Sequence, residues 1–153
     1  MAVRKALLIL HGKQALNEDV RAAVQAKRDE GWDLAVRLTW EAGDAQRLVQ
    51  EAIGAGYRQL IAGGGDGTLR DIAEAIAHSA EPVSLVLLPL GTANDFARAA
   101  GVPLEPLPAL NLLDVPAQAI DLGVVGEQVF LNMATGGFGS PVPAHTSDDL
   151  TKV

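Results

Sequence analysis

Short apolar runs alternate with amphipathic stretches through the first two thirds of the chain. This alternation is typical of βα units that build a mostly parallel sheet, because each strand of such a sheet is buried on both faces. The pattern therefore predicts an α/β domain. Its strands are expected over residues 6–10, 34–40, 59–62 and 84–90.

Residues between and after these runs predict four helices. Asn17 is the expected N-cap of the first helix, and Gly31 is expected to end it. Asp44 is expected to cap the second helix, and Thr92 the fourth, which runs through Ala100. The predicted buried stripes of the first three helices comprise Val20, Ala23, Val24 and Lys27; Leu48, Val49, Ala52 and Ile53; and Leu69, Ile72, Ala73 and Ile76.

The pattern changes after Gly101, where closely spaced prolines mark a connection. Beyond Pro116, alternating residues over 118–125 and 128–133 predict a β-hairpin around a two-residue turn. An isolated hairpin is marginally stable in water, so these strands need further partners. We therefore predict an α/β domain over residues 1–118 and the beginning of a β-rich second domain over 119–153, which is expected to be incomplete.

Composition and charge argue against several classes of function, including nucleic-acid binding and cysteine chemistry. The chain has 153 residues, of which 48% are hydrophobic, and a net charge of −7. Since it carries no cluster of Lys or Arg, nucleic acid is an unexpected partner. Without an apolar run of about 18 residues or a convincing signal peptide, the protein is expected to be cytoplasmic. The absence of cysteine excludes disulfides, thiol catalysis and cysteine-ligated zinc, and the three histidines have no metal-ligand spacing.

A glycine-rich segment between the third strand and the third helix is the strongest chemical signal. Gly63, Gly64, Gly65 and Gly67 allow the backbone to approach a ligand closely and to adopt positive φ, so that amide groups can converge on phosphate oxygens. The helix that follows adds the positive end of its dipole. A tight turn would need fewer glycines. The segment therefore predicts a phosphate site.

Asp66 places a carboxylate in the middle of this predicted anion site. A carboxylate beside phosphates is unfavourable unless it binds a cation, orients a donor or accepts a proton. Asp66 is therefore a candidate catalytic residue that handles magnesium or a proton. The alternative is that Asp66 only forms a turn through its own backbone.

Two further segments follow predicted strands. Thr92 and the adjacent Asn94 and Asp95 begin a helix at the edge of the sheet where the glycine segment also lies, and Thr39 ends the second strand. Together these residues predict a crevice, although a capped helix is the plainer interpretation of Thr92 alone. Residues 132–139 form another glycine-rich segment, for which a β-bulge is as well supported as a ligand contact.

Taken together, VRLTWEAGDA at 36–45, IAGGGDGT at 61–68, LPLGTANDFA at 88–97 and FLNMATGGFG at 130–139 resemble the diacylglycerol kinase catalytic domain family, and most closely its YegS-type bacterial lipid kinases. The resemblance implies an NAD kinase-like and diacylglycerol kinase-like nucleotide-binding domain followed by a β-rich domain, with the active cleft between them. It implies a nucleotide site at Thr39, at Gly64 to Asp71, which includes Thr68, Leu69 and Arg70, and at Thr92. The family commonly has Asn-Glu where this chain has Arg70-Asp71, and Asn where it has His11.

The resemblance implies a kinase that uses ATP and Mg²⁺ to phosphorylate a glycerolipid hydroxyl at a membrane surface. A soluble NAD kinase-like enzyme and a nucleotide-binding module without turnover remain as alternatives. The catalytic base and structural metal ligands are expected beyond residue 153, so these 153 residues alone are expected to be inactive. Unpaired apolar strands also predict self-association, with a homodimer as the simplest form.

Overall fold

A four-stranded parallel sheet forms the centre of the molecule, as the hydrophobic pattern predicts. The computed structural model describes residues 4–79 and 81–114, together with the backbone of 119–125 and 128–134. The strand order is β2-β1-β3-β4, and Leu10 of β1 pairs with Leu38 on one side and with Gly63 on the other. The strands are β1 (Lys5–His11), β2 (Asp33–Thr39), β3 (Gln59–Gly64) and β4 (Ser84–Pro89).

Five α-helices accompany the sheet within the described residues. They are α1 (Glu18–Asp29), α2 (Asp44–Gly54), α3 (Asp66–Ala77), α4 (Asp95–Ala100) and α5 (Pro106–Leu110). Short 3-10 helices precede α1 at Gly12–Gln14 and follow α5 at Asn111–Asp114. In this part of the chain, no helix is long and apolar enough to cross a membrane.

The helices cover both faces of the sheet, and each face has its own core. On one face α2, α3 and α4 pack against strand residues such as Ile9 and Leu60. On the other face α1 and α5 pack against Leu8 and Ile61. All four of these side chains are completely buried. Residues of opposite parity on one strand therefore face different cores, as expected for a parallel sheet enclosed by helices.

Of the predicted helix caps, Asn17 is confirmed and Asp44 is not. Asn17 caps α1 as predicted, since its side chain accepts the backbone N–H of Val20 at 3.1 Å. The prediction that Asp44 is the N-cap of α2 is wrong, because the cap position is Gly43 with φ 94°. Asp44 is instead the first helical residue, and its carboxylate accepts the backbone N–H groups of Trp40 and Glu41 at 2.7 and 2.9 Å. These bonds lower the pKa of Asp44.

A charged cluster closes the amino end of the sheet. Lys27 is completely buried, and its Nζ donates to Asp114 at 2.5 Å, to Glu30 at 2.8 Å and to Asn111 at 3.2 Å. Asp114 also accepts the indole N–H of Trp32 at 3.0 Å. Burial opposes the ammonium charge, but the bonds to Asp114 and Glu30 outweigh burial and raise the pKa of Lys27. The hydrogen bond from Lys27 in turn lowers the pKa of Asp114.

The predicted hairpin is present in the backbone. Strand β5 (Ala119–Val125) pairs antiparallel with β6 (Gln128–Ala134), and Val125 is opposite Gln128. The strands themselves confirm the hydrophobic alternation of this region. The boundary between two domains at residue 118 stays a prediction, and most of the glycine-rich segment 132–139 lies outside the described residues.

Candidate active site

The carboxyl ends of the parallel strands bring the predicted site residues to one edge of the sheet. β1 ends at His11, β2 at Thr39 and β3 at Gly64. The chain leaves β1 toward β2 on one side and then crosses over to β3 on the other. In open α/β sheets, ligands bind outside the carboxyl ends at such a reversal of strand order.

A pocket of about 210 Å³ opens at this edge. Thr39 and Trp40 form one side of it, and Thr68 and Asp71 of α3 form the other, with His11 between them. The structure therefore brings together Thr39, Thr68 and Asp71, which were predicted from segments far apart in the sequence. Thr92, an exposed residue in the loop before α4, is not among the residues that line this pocket.

His11 is a pocket residue that the sequence analysis did not select. Its Nδ1 accepts the backbone N–H of Lys13 at 3.1 Å. In a neutral imidazole the proton then resides on Nε2, which makes the ring a hydrogen-bond donor at the end of β1. Two sequence signals pointed to it: its position immediately after an apolar strand, and the Asn that the resembling family commonly has there.

Gly63, Gly64 and Gly65 allow close packing rather than positive φ. A Cβ on Gly63 would lie 2.9 Å from Cδ1 atoms of Leu8 and Leu10, and one on Gly64 would lie 2.6 Å from Thr68 Oγ1. The expectation of positive φ is wrong for all four glycines, since φ of Gly65 is −93° and positive φ occurs at other glycines. Gly67 differs from its neighbours because a Cβ there would meet none of the described residues within 4 Å.

The two loops at this edge contact each other directly. A Cβ added to Gly91 would lie 2.5 Å from the Cα of Gly65, so the second loop has no room for a side chain at this point. A Cβ added to Gly65 would lie 3.2 Å from the Cα of Gly91, which is a tight contact. The backbone N–H of Leu90 donates to the carbonyl of Gly64 at 2.8 Å. Close approach of the two backbones therefore requires glycine at position 91 and favours it at position 65.

Asp66 joins the same two loops through its side chain. Its carboxylate accepts the backbone N–H of Asp95 at 2.9 Å and of Phe96 at 3.3 Å, in the first turn of α4. The alternative of a turn through its own backbone is wrong, because the bonded amides belong to a helix 29 and 30 residues away. The prediction that Thr92 caps α4 is also wrong, since the carboxylate of Asp66 satisfies these amides. A catalytic role for Asp66 stays a prediction.

Asn94 shapes the second loop. Asn94 occupies the N-cap position of α4, but its side chain does not cap the helix. Its backbone, with φ 51° and ψ 47°, lies in the left-handed region, which asparagine tolerates better than most residues. Its side chain accepts the N–H of Gly91 and donates to the carbonyl of Gly91, both at 2.9 Å. With only 7% of its surface exposed, Asn94 holds the loop in a fixed shape.

The amino terminus of α3 faces this edge without a side-chain cap. Gly65 occupies the N-cap position, and none of the side chains that the structure describes caps the first turn. The first amides of a helix have no partners within it, and the dipole adds partial positive charge there. Arg70 is exposed on the same helix, whereas the side chain of Leu69 is buried in the core. This terminus can therefore bind an anion through its backbone.

The described residues provide little for a metal ion by themselves. They contain no group of three or more His, Asp or Glu side chains that is able to hold a metal. Both oxygens of Asp66 already accept amide hydrogens, whereas Asp71 lies beside the pocket. Magnesium commonly binds through one or two carboxylates together with substrate phosphates. Asp71 fits that limited requirement.

Comparison with known proteins agrees with this geometry. The family model of the diacylglycerol kinase catalytic domain matches residues 5–125. A protein of Pseudomonas fluorescens named "Probable lipid kinase YegS-like" is 79% identical over 153 residues, which is 100% of this chain and 51% of that protein. A protein of the same name from Pseudomonas aeruginosa is 67% identical over 149 residues, covering 97% of this chain and 49% of that protein. The chain thus spans about half the length of the curated relatives it matches.

Solved structures show the same arrangement of elements. A crystal structure of a diacylglycerol kinase from Bacillus anthracis matches with a TM-score of 0.73 and 28% sequence identity. The match covers 86% of this chain and 47% of that one. The parallel sheet, the glycine segment at its carboxyl edge and these similarities lead to one conclusion: the chain belongs to the diacylglycerol kinase catalytic domain family.

Proposed function

We propose that the protein is a lipid kinase that transfers the γ-phosphoryl group of ATP to a hydroxyl of a glycerolipid. The observation that carries the proposal is the uncapped amino terminus of α3 beside a pocket that contains Thr39, Thr68 and Asp71. Backbone amides at a helix start bind phosphate, and the hydroxyl groups are donors for ribose or phosphate oxygens. Membership of a lipid kinase family supports the same assignment.

In this proposal the chain acts mainly by positioning the nucleotide. Phosphoryl transfer requires little covalent help from the protein, so aligned amides and charge neutralisation provide most of the rate enhancement. Gly63, Gly64 and Gly65 let the backbone fold tightly against the site, and Thr68 packs on Gly64. Gly67 would leave its backbone open to the phosphates. Leu69 contributes through its backbone, and Arg70 adds positive charge near the phosphates.

Magnesium would neutralise nucleotide phosphates when it is bound, and Asp71 would be its carboxylate partner from this chain. Asp66 would have two roles. It fixes the two loops, and we propose that it also accepts a proton or contacts the ion during transfer. Thr92 would reach the nucleotide from the second loop. We propose that the acceptor lipid binds, and a further catalytic carboxylate lies, in the part of the full-length protein that this chain does not span.

The proposal is tested with full-length protein, γ-labelled ATP and vesicles that contain diacylglycerol. We expect labelled lipid, and we expect Asp71→Asn to weaken ATP binding by about tenfold or more, since charged hydrogen-bonded groups contribute about 1.5–3 kcal/mol. Asp33→Asn is the matched control, because Asp33 is an exposed carboxylate at the opposite end of the sheet. Equal ATP affinities for both variants would remove Asp71 from the site.

The acceptor separates the alternatives. Phosphorylation of NAD in place of lipid would favour a soluble NAD kinase-like enzyme, and tight ATP binding without transfer would favour a nucleotide-binding module. A lipid kinase that uses ATP would act in the cytoplasm at the membrane surface, and we propose that location. Sedimentation of the full-length protein tests the expected homodimer.

A further inference from the structure

The charges around the candidate nucleotide pocket are unsuited to phosphate. Glu41 and Asp71 line the pocket, together with the hydroxyl-bearing Thr39 and Thr68. Among the described residues that line it there is no Lys or Arg. Two carboxylates repel an anionic phosphate unless a cation lies between them. The phosphates are therefore better placed at the start of α3, and the pocket is left for an uncharged part of the nucleotide.

The size of the pocket also matches a part of a nucleotide. Its volume is about 210 Å³, whereas pockets that enclose a whole drug-sized ligand usually have about 300–1,000 Å³. In dinucleotide-binding α/β folds, a carboxylate commonly accepts a hydrogen bond from a ribose hydroxyl. Glu41, which is exposed in the loop after β2, offers such a carboxylate on the side of the pocket opposite α3.

The ring of His11 is held in one orientation in the wall of this pocket. Its Nδ1 accepts the backbone N–H of Lys13 at 3.1 Å and so caps the 3-10 helix Gly12–Gln14. The backbone beside it is tightly packed, because a Cβ on Gly12 would clash with the carbonyl oxygen of Thr39. Thr39 is also the residue that pairs with His11 between β2 and β1. The side chain and the backbone of His11 are thus both fixed.

The other ring nitrogen of His11 is a donor without a partner in the part of the chain that the structure describes. With Nδ1 accepting a hydrogen bond, the neutral imidazole carries its proton on Nε2. A ring N–H of this kind only donates, whereas the hydroxyl groups of Thr39 and Thr68 both donate and accept. Nε2 therefore needs an acceptor atom, which a ligand in the pocket can supply.

We propose that the pocket binds the ribose of the nucleotide and that Nε2 of His11 donates to a ribose hydroxyl oxygen. The hydrogen of that hydroxyl is accepted by the carboxylate of Glu41. A hydroxyl group satisfies both neighbours, because it accepts one hydrogen bond while it donates another. The inference rests on the proposed function, since it takes a nucleotide to be the ligand. His11 is then a specificity-determining residue that favours ribonucleotides over deoxyribonucleotides.

The test compares ATP with 2′-deoxy-ATP and 3′-deoxy-ATP in calorimetric titrations of the full-length protein. We expect the wild-type protein to bind at least one deoxy form about five- to tenfold more weakly than ATP, as for the loss of one hydrogen bond. We call this difference the ribose preference.

Three variants locate the donor. His11→Asn keeps an oxygen that can accept the N–H of Lys13 but has no donor at the position of Nε2, so it should lose the ribose preference. His11→Gln extends an amide N–H toward that position and should keep the preference. His78→Asn is the matched control, because His78 lies at the carboxyl end of α3, away from the pocket.

A ribose preference that disappears in His11→Asn and persists in His11→Gln and His78→Asn supports the proposal. Equal binding of the three nucleotides by the wild-type protein overturns it, as does an unchanged preference in His11→Asn or a loss that His11→Gln shares. Equal weakening of all three nucleotides in His11→Asn also overturns it, because the ring would then not contact the sugar.

Lipid phosphorylation is measured separately with γ-labelled ATP. Labelled lipid without any ribose preference overturns the role of His11 and leaves the proposed function intact. A ribose preference that depends on His11, without labelled lipid, supports the role of His11 and contradicts the lipid acceptor.

Discussion

The two ends of the central sheet differ in whether their charged and polar groups bond to one another. At the amino end, Lys27 and Asp114 neutralise each other, and Trp32 completes the cluster. At the carboxyl end, the amides of the α3 start and the side chain of Asp71 lie beside an open pocket and have no such partners among the described residues. Polar groups that satisfy one another stabilise the fold, whereas groups left free beside a pocket are available to a ligand.

Within the carboxyl edge, a substitution at the contact between the two loops should have the largest effect on stability. Gly91→Val places side-chain atoms against the backbone of Gly65, and overpacking of this kind costs about 3 kcal/mol. Gly54→Val is the control, because a Cβ at Gly54 meets nothing within 4 Å. Urea unfolding curves measure the difference. Similar midpoints for both variants would show that the loops separate easily.

Gly65→Val should weaken nucleotide binding by orders of magnitude. A clash of the new side chain with Gly91 could cause that loss without any contact to the nucleotide. Binding must therefore be measured on protein that remains folded. Retained affinity in a folded Gly65→Val protein would remove Gly65 from the nucleotide site. Gly65→Val should therefore be compared with Gly67→Ala, which changes the same segment without a clash.

At the amino end, removing the acid should cost more than removing the base. Asp114→Ala leaves the ammonium of buried Lys27 with Glu30 and Asn111 only, and we expect a loss of about 2–3 kcal/mol. This value is below that for a fully buried pair, because the side chain of Asp114 is 40% exposed. Lys27→Met, which keeps the volume, should cost less. Thermal unfolding of both variants decides the order.

The same cluster predicts how stability depends on pH. The pKa of Asp114 is lower in the folded state than its ordinary value of 3.8, so its contribution is present above pH 3.8 and is lost as the pH falls through the folded value. The pKa of Lys27 is raised above 10.5, so its contribution is present below that pH and is lost as the pH rises through the folded value. Asp114→Asn should flatten the acid side of a stability profile. An unchanged acid slope would contradict the assignment.

Gly67→Ala should have the smallest effect on stability and the most informative effect on binding. Its Cβ meets open space in the first turn of α3, so alanine should stabilise the helix by about 0.5–1 kcal/mol. If phosphate lies against this backbone, calorimetry should show weaker ATP binding despite the gain in stability. Equal ATP affinity would indicate that phosphate binds elsewhere at the edge.

The sequence predicted the fold more completely than it predicted the site. Apolar periodicity is local, and it correctly indicated the four parallel strands, the first three helices and the hairpin. Capping was predictable for Asn17, whose bonded amide is three residues away. It was not predictable for α4, because Asp66 reaches that helix from a different loop. The Lys27–Asp114 pair spans 87 residues and leaves no periodic signal.

For the site, the residues at strand ends were predictable because parallel strands share a carboxyl edge. Thr39, Thr68 and Asp71 meet at one pocket for that reason. The reason for the glycines was not predictable, since it depends on Leu10, Thr68 and Gly91 rather than on backbone angles. A sequence reports which residues are small, and only the packing shows what occupies the space.

The carboxylate of Asp66 also has a kinetic consequence. Amides in the first turn of a short helix usually exchange their hydrogens with solvent rapidly, because no carbonyl protects them. In this protein the amides of Asp95 and Phe96 are held by Asp66. Their exchange rates therefore report how often the two loops separate, and slow exchange at these two positions would show that the loops open together as one unit.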